Sequence, residues 1–322
     1  MLRRLIPQVF KPRPTLSIDF RSGQLDRILT FTRASSQTYF DSTGTLQTAG
    51  TNIPAFDYDP VTLAPLGLSL WEGRTNLLLN SLIDGTNLST QDITTTAAAR
   101  TISFYGTGTI AMTGTHTHDV VGSGAFPTRT TYTYTPSAGT LTLTVTGTVQ
   151  YAQDELGAFA TPFIPTAGAS AARAAPVCST TDLSWFNANE GTFVWKYITG
   201  LPTATVGRIG SMHDGSGQNL IDFIKNASGA TRVAVTTSNV SQGQVDGTTT
   251  SPAAYSYVTN NASVSTGGGA IGVDTTVTIP TVTQLNIGAT WNGASLINGW
   301  LQYAPIYYPK RLDNATLQRL ST

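Results

Sequence analysis

Apolar and polar residues alternate over short stretches along most of the chain. Residues 16–20, 101–105, 130–134 and 141–145 each place apolar or aromatic side chains at every second position. A period of two is typical of half-buried β-strands. Turn residues separate these stretches at intervals of about 8–12 residues, a spacing that favours a sandwich or jelly roll. The pattern predicts an all-β protein.

Two segments depart from this alternation. Near the C-terminal end Asp313 is a plausible N-cap, and Leu317 and Leu320 share one face of a predicted short helix. Residues 167–176 are small and low in complexity, which favours a linker or boundary, with a short Ala-rich helix as the alternative. No segment has the character of a β-α-β crossover, so a parallel α/β fold is not expected.

The length and the turn signals predict three modules. The chain has 322 residues, which is long for a single sandwich. Residues 1–80 are predicted to form an N-terminal arm and a β module that attaches to a partner or packs on the next module. Residues 81–170 are predicted to form a jelly-roll sandwich resembling a carbohydrate-binding module, and residues 177–322 a second sandwich.

Composition limits the possible roles. Charged residues make up 11% of the chain, against about 25% in an average soluble domain. The 5 Trp, 12 Tyr and 12 Phe residues are enough for a packed core, so the chain is not expected to be disordered. The formal net charge is zero, which argues against a dedicated nucleic-acid binder.

Cysteine usage and the apolar runs indicate where the chain folds. Cys178 is the only cysteine, so no internal disulfide is possible, and folding in a reducing compartment is expected. The first residues lack the apolar core of a signal peptide. No apolar run approaches 18 residues, so no membrane insertion is expected.

The first residues are basic and rich in proline. Arg3, Arg4, Lys11 and Arg13 lie among three prolines within residues 1–14. Such a segment is expected to be an extended arm. It is either a disordered terminus or a peptide that attaches the chain to a particle.

The acidic residues do not form a catalytic pattern. Glycosidases place two carboxyl groups on either side of the scissile bond, yet Glu72, Glu155 and Glu190 are far apart in the sequence. Asp57 and Asp59 are two residues apart, but the adjacent Pro60 favours a hydrogen-bonded turn there. The protein is therefore expected not to be an enzyme.

Other polar side chains are expected to be structural or solvated. His116, His118 and Asp119 form the one metal-like cluster, but solvated side chains in a loop are favoured over a metal site. Arg33 is expected to pair with Asp41 or Asp57. No metal and no cofactor are expected.

Aromatic and amide side chains are the candidates for saccharide binding. Trp195, Trp291 and Trp300 lie in or beside predicted strands, so core packing is their first interpretation. Loop positions nevertheless give a candidate sugar-binding rim of Tyr255, Tyr257, Asn260, Trp291 and Asn292.

Several segments together resemble a family of phage virion proteins. They are residues 31–46, with Phe-Thr-Arg-Ala-Ser and Thr-Tyr-Phe-Asp-Ser-Thr-Gly-Thr-Leu, residues 52–60, residues 72–81, with Glu-Gly-Arg-Thr-Asn-Leu-Leu-Leu-Asn-Ser, and residues 153–166. The family includes head spike fibres, tail fibres and capsid-decorating proteins of phages and gene transfer agents. This sequence departs from it at Ala55, where the family often has Arg, and at Trp71, where the family has an aliphatic residue.

The C-terminal region resembles a second group of proteins. Residues 285–288, 299–301 and 308–312 are similar to the end of concanavalin A-like, or laminin G-like, sandwiches. The resemblances together imply tandem β-sandwiches with an extended N-terminal arm.

The same resemblances imply a location and partners. The chain is expected to be a spike or fibre subunit on the surface of a phage or phage-like particle. It would form a homo-oligomer, contact capsid, spike-base or tail proteins through the arm, and adhere to host surface polysaccharide. The alternatives are a purely architectural decoration or spike-base protein without glycan binding, and a depolymerase.

Overall fold

The computed structural model describes residues 13–82, 87–247 and 251–322. The first strands are β1 Leu16–Asp19, β2 Thr30–Thr32, β3 Gln37–Phe40, β4 Leu46–Ala49, β5 Phe56–Tyr58, β6 Pro65–Leu70 and β7 Arg74–Asn76. The next are β8 Gln91–Thr95, β9 Arg100–Gly106, β10 Thr109–Gly114, β11 His118–Val121, β12 Gly124–Tyr134, β13 Gly139–Thr146 and β14 Gln150–Leu156. Then follow β15 Ala171–Arg173, β16 Val177–Thr180, β17 Glu190–Thr199, β18 Gly207–His213, β19 Leu220–Lys225, β20 Thr231–Thr237 and β21 Val240–Asp246. The last elements are β22 Ala253–Val258, β23 Asn261–Thr266, β24 Gly272–Asp274, β25 Gln284–Ile287, β26 Gly299–Tyr308 and the helix α1 Asn314–Leu320.

Two large antiparallel sheets form the main sandwich. One has eight strands in the order β24-β23-β22-β17-β26-β6-β5, with β1 also paired to β26. The other has seven strands in the order β2-β16-β25-β18-β19-β20-β21. Apolar side chains from both sheets, such as Phe193, Trp195 and Phe223, are buried between them. The predicted all-β fold built from sandwiches is therefore confirmed.

Four of the N-terminal strands, β1, β2, β5 and β6, belong to this main sandwich. Strand β26 pairs along one edge with β17, and its other edge is shared between β6 and β1. Strand β2 pairs with β16 in the second sheet. The prediction of a separate β module within residues 1–80 is therefore wrong for β1, β2, β5 and β6, because these short strands bury their apolar faces by completing sheets formed mainly by residues 177–308. Strands β3 and β4 pair with each other, and β7 pairs with β15.

A second, smaller sandwich is inserted into the first. Its sheets have the orders β11-β10-β13-β8 and β12-β9-β14, and their inward side chains form a core of their own. All seven strands lie inside the predicted module 81–170. We call this unit the inserted sandwich.

Two adjacent strands connect the sandwiches. Strand β7 leads into the inserted sandwich and β15 leads out of it, and they pair antiparallel with Asn76 opposite Ala171. The low-complexity segment 167–176 therefore lies at a boundary, but its alternative interpretation as an Ala-rich helix is wrong. Arg173 is fully buried there and donates hydrogen bonds to the carbonyl oxygens of Pro162 (2.9 Å) and Glu72 (2.8 Å).

Arg33 holds the loops of the N-terminal segment together. Its side chain is buried, and Nε and Nη2 donate to four carbonyl oxygens, those of Ser35, Ala49, Gly50 and Ile53. Burial lowers its pKa to about 10. The predicted pairing with Asp41 or Asp57 is wrong, since backbone oxygens take these hydrogen bonds instead.

The predicted C-terminal helix is confirmed as α1. The Asp313 side chain accepts a hydrogen bond from the backbone N–H of Thr316 (2.8 Å), and Leu317 packs on Val194 and Ala254. Among the described residues no helix is long and apolar enough to cross a membrane.

Candidate functional site

A cleft of about 570 Å³ lies where the inserted sandwich meets the main sandwich. One wall carries aromatic side chains of the main sandwich, including Trp71 and Trp300. The opposite wall is the outer face of β9 and β12 in the inserted sandwich. A site of this kind exists only because the two sandwiches are adjacent.

Two tryptophans form the aromatic wall. The ring centroids of Trp71 and Trp300 are 5.1 Å apart and the rings meet edge to face at 84°. Trp71 is buried and donates from Nε1 to Ser69 Oγ (3.0 Å), whereas Trp300 is half-buried. A Cβ atom at Gly200 would lie 2.7 Å from the Trp71 ring, so any larger residue at position 200 would clash with the ring.

Asp57 fixes the orientation of Trp300. Its Oδ2 accepts a hydrogen bond from Trp300 Nε1 (2.8 Å), and its Oδ1 accepts from the backbone N–H groups of Phe40 (2.7 Å) and Tyr58 (3.2 Å). The residue is only 5% exposed. Burial raises the pKa of Asp57 to about 6, although the hydrogen bond from Trp300 and those from the two amides lower it in part.

The opposite wall is polar. Arg129, Thr131 and Thr133 alternate along β12, and the two threonines are exposed. Arg129 is opposite Tyr105 in the β9–β12 register, and its guanidinium carbon lies 5.7 Å from the Tyr105 ring centroid. Its Nη2 donates to Ser103 Oγ (2.8 Å) and to a carbonyl oxygen at Thr161 (2.8 Å), which hold the side chain against the sheet.

The two walls together suit a ligand with both apolar and hydroxyl-bearing faces. An aromatic ring accepts C–H surface, while threonine hydroxyls and a guanidinium offer directional hydrogen bonds. A concave, mainly apolar site with a few placed polar groups is typical of small-ligand binding.

The candidate rim from the sequence is not assembled as a site. Tyr255 and Tyr257 are 2% and 0% exposed, because β22 lies between β17 and β23 and both side chains point into the core. Tyr257 bonds there to Tyr307 Oη (2.9 Å) and to a backbone carbonyl. Their interpretation as surface ligands is therefore wrong.

The other three rim residues are on the surface but in different loops. Asn260 is exposed in the turn between β22 and β23. Trp291, 38% exposed, and Asn292 lie in the loop between β25 and β26. No hydrogen bond or ring contact among the described residues joins Asn260 to Trp291, so they remain separate candidates.

Sequence reasoning considered Asp57, Asp59 and Trp300 separately but did not predict that they line one cleft. Trp300 was assigned first to the core, as was Trp195, and only Trp195 is fully buried there. One signal for the cleft was present in the sequence. Trp71 stands where the phage family that this sequence resembles has an aliphatic residue, and its ring contacts that of Trp300. Nothing local marked Arg129.

The histidine pair packs against tyrosines. His118 stacks on Tyr132 with centroids 4.1 Å apart, and His116 Nε2 lies 3.1 Å from Tyr132 Oη. Within the described ranges, no group of three or more His, Cys, Asp or Glu side chains is placed to hold a metal ion.

The predicted attachment residues lie mostly outside the described residues. This is the case for Arg3, Arg4 and Lys11, whereas Arg13 is described and exposed. Attachment through them stays a prediction.

Comparisons with known proteins identify no family. No protein-family model and no curated protein matches the sequence. Among solved structures, the CBM40 of Ruminococcus gnavus IT-sialidase bound to α2,6-sialyllactose is 14% identical, with a TM-score of 0.36, covering 42% of this chain and 85% of that one. A second structure of this CBM40 is 14% identical, with a TM-score of 0.34, and the match covers 42% of this chain and 83% of that one. The structure of the CBM40 bound to α2,3-sialyllactose is 13% identical, with a TM-score of 0.34, and the match covers 42% of this chain and 84% of that one.

Proposed function

We propose that this protein is a non-enzymatic subunit of a phage or phage-like particle that binds bacterial surface polysaccharide through the cleft between its two sandwiches. The observation that carries the binding proposal is the Trp300 ring, held by Asp57 opposite a wall of hydroxyl and guanidinium groups. The particle is proposed from the sequence resemblance to spike and fibre proteins.

The cleft suits a saccharide better than a flat apolar ligand. The face of a sugar ring presents C–H groups that pack on an indole, and its edge presents hydroxyls. Trp300 is fixed by one hydrogen bond and one ring contact, so little side-chain entropy is lost when a ligand packs on it. Arg129, Thr131 and Thr133 are placed along one strand to meet the hydroxyl edge.

Binding at one such site is expected to be weak. A particle that displays many copies, or a cyclic homo-oligomer, would convert weak sites into strong adhesion by raising the effective concentration. The proposal therefore includes a multivalent arrangement of this chain.

The test is a pair of tryptophan variants screened on a glycan array of bacterial polysaccharides. Trp300→Ala is expected to abolish binding, and Trp291→Ala, which removes an exposed tryptophan outside the cleft, is expected to retain it. Loss of binding in the Trp291 variant alone would move the site to the β25–β26 loop. Absence of binding by the parent chain to every glycan would favour the architectural alternative.

Particle attachment is tested separately. We propose that residues 1–14, which include Arg3, Arg4, Lys11 and Arg13, attach the subunit to the particle. Deleting them should release the protein from purified particles, and retention after deletion would contradict this role.

One observation favours a second candidate, glycoside hydrolysis. Asp57 and Asp59 both line the cleft, and their pKa values are displaced in opposite directions. Burial raises that of Asp57, while hydrogen bonds from the Thr62 and Val61 amides lower that of Asp59. Acid and base pairs of glycosidases show such divergence of pKa values. However, both oxygens of Asp57 already accept hydrogen bonds from the protein.

Reducing-end release from host capsule decides between the two candidates. Binding without release supports adhesion. Release that Asp59→Asn abolishes, while glycan binding persists, would support hydrolysis.

A further inference from the structure

Arg129 is a cation in the cleft without an acidic partner. Five other described arginines form ion pairs, namely Arg21, Arg74, Arg100, Arg208 and Arg232. No acidic oxygen of the described residues lies within ion-pair distance of Arg129, and its two hydrogen bonds go to a neutral hydroxyl and a carbonyl. Its charge is therefore available to a ligand.

The hydrogen-bonding capacity of this guanidinium is only partly used. Nη2 donates both of the described bonds, Nε is buried without a partner, and Nη1 makes no hydrogen bond to the described residues. The anchoring through Nη2 fixes the plane of the group against β9. Nη1 is thus a prepositioned donor in the polar wall of the cleft.

The acids that line the same cleft do not neutralise it. Asp57 directs its oxygens to Trp300 Nε1 and to backbone amides. Asp59 directs Oδ1 to the amides of Val61 (2.9 Å) and Thr62 (2.8 Å) in its own turn. Each acid is satisfied by local donors, whereas the arginine is not.

We infer that the cleft selects an acidic saccharide, one whose ring carries an oxyanion that pairs with Arg129 while its C–H face packs on Trp300. This inference rests on the proposed function and deepens it by naming the ligand class. A hydrogen bond from a charged donor to a charged acceptor is stronger than one between neutral groups. The acidic member of a matched pair should therefore bind about tenfold tighter, the factor that one such bond supplies.

The experiment uses two pairs of polymers that share a backbone and differ in charge. Galacturonan is compared with its methyl ester, which tests a carboxylate, and dextran sulfate with dextran, which tests a sulfate. Affinities are measured with the full chain by titration calorimetry. At least one acidic member is expected to bind about tenfold tighter than its neutral partner.

Two arginine variants separate a specific pairing from general charge. Arg129→Gln is expected to reduce the preference to less than about threefold. Arg232→Gln removes the same charge from an exposed pair with Asp246 outside the cleft and is expected to leave the preference unchanged. Trp300→Ala should weaken binding of the acidic member.

Each outcome is decisive. Equal affinity within both pairs, no binding of either acidic member, or a preference that survives in the Arg129 variant overturns the inference. Neutral glycans that still bind through Trp300 in those cases would leave the proposed function intact. If the parent chain binds no glycan at all, the proposed function is wrong as well.

Discussion

Replacing Phe20 by alanine tests whether the N-terminal segment is part of the main sandwich. Phe20 follows β1 directly, is 0% exposed, and belongs to the core between the two large sheets. Its ring centroid lies 6.4 Å from that of Phe56, another residue of the N-terminal segment. If this segment were an independent module, the variant would leave the main sandwich unaffected.

The size of the effect follows from the burial of the ring. A buried Phe→Ala change removes transfer free energy and leaves a cavity, a combined loss of about 3–5 kcal/mol. Set against a total free energy of unfolding of about 5–15 kcal/mol, the loss is large. With a urea m-value of about 3 kcal/mol/M, the midpoint should fall by about 1–2 M.

Tryptophan fluorescence during urea unfolding is a selective assay. All five tryptophans, at positions 71, 185, 195, 291 and 300, lie outside the inserted sandwich. Phe104→Ala, which removes a fully buried ring from the core of the inserted sandwich, is the matched control and should shift this signal less. A tryptophan transition in the Phe20 variant that coincides with that of the parent would refute the shared core.

Three further predictions concern buried charges. Arg33→Met should lower the free energy of unfolding by about 3–5 kcal/mol because it leaves four carbonyl oxygens, wholly or partly buried, without this donor. Arg232→Met at an exposed pair should cost below about 1 kcal/mol in the same urea assay. The folded state holds a proton on Asp57 up to about pH 6, while the unfolded chain releases it near its ordinary value of 3.8, so stability should fall as pH rises through this window. The loss between pH 5 and 8 is about 1.4 kcal/mol, and an Asp57→Asn variant should lack this part of the pH dependence in unfolding titrations. Arg100→Met should destabilise the inserted sandwich by about 3–5 kcal/mol, because Asp154, whose Oδ2 lies 2.5 Å from Arg100 Nη2, would stay buried without its cationic partner. Unfolding followed by near-ultraviolet circular dichroism measures the loss, and an unchanged transition would contradict this prediction.

The sequence predicted the elements far better than their pairing. Alternation over residues 101–105 and 141–145 is a local property, and both stretches are strands. The capped helix was also predictable, because Asp313 and Thr316 are neighbours in sequence. The pairing of β1 with β26 could not be predicted in this way. It places Leu16 opposite Tyr307, and no local pattern shows which distant segments will pair.

The candidate site was missed for the same physical reason. Tyr255 and Tyr257 were predicted as loop residues, yet both lie in an interior strand that points their side chains into the core. Burial on a sheet is decided by what covers each face, and the sequence does not state which face is covered. Trp300 shows the converse, because its neighbours on β26 are core residues while its own ring borders the cleft.

The insertion itself sets the geometry of the cleft. The two walls come from different cores, so their separation depends on how rigidly β7 and β15 hold the inserted sandwich. Arg173 fixes that junction, because it is buried and bonds to a carbonyl on each side, Glu72 in the main sandwich segment and Pro162 after the inserted strands. The side-chain hydrogen bonds of this buried cation go to backbone oxygens, while its Nε has no partner among the described residues. Such a group fixes geometry more than it adds stability, since burial penalises its charge and lowers its pKa to about 10. Arg173 therefore helps to position the wall that carries Arg129 relative to the wall that carries Trp300.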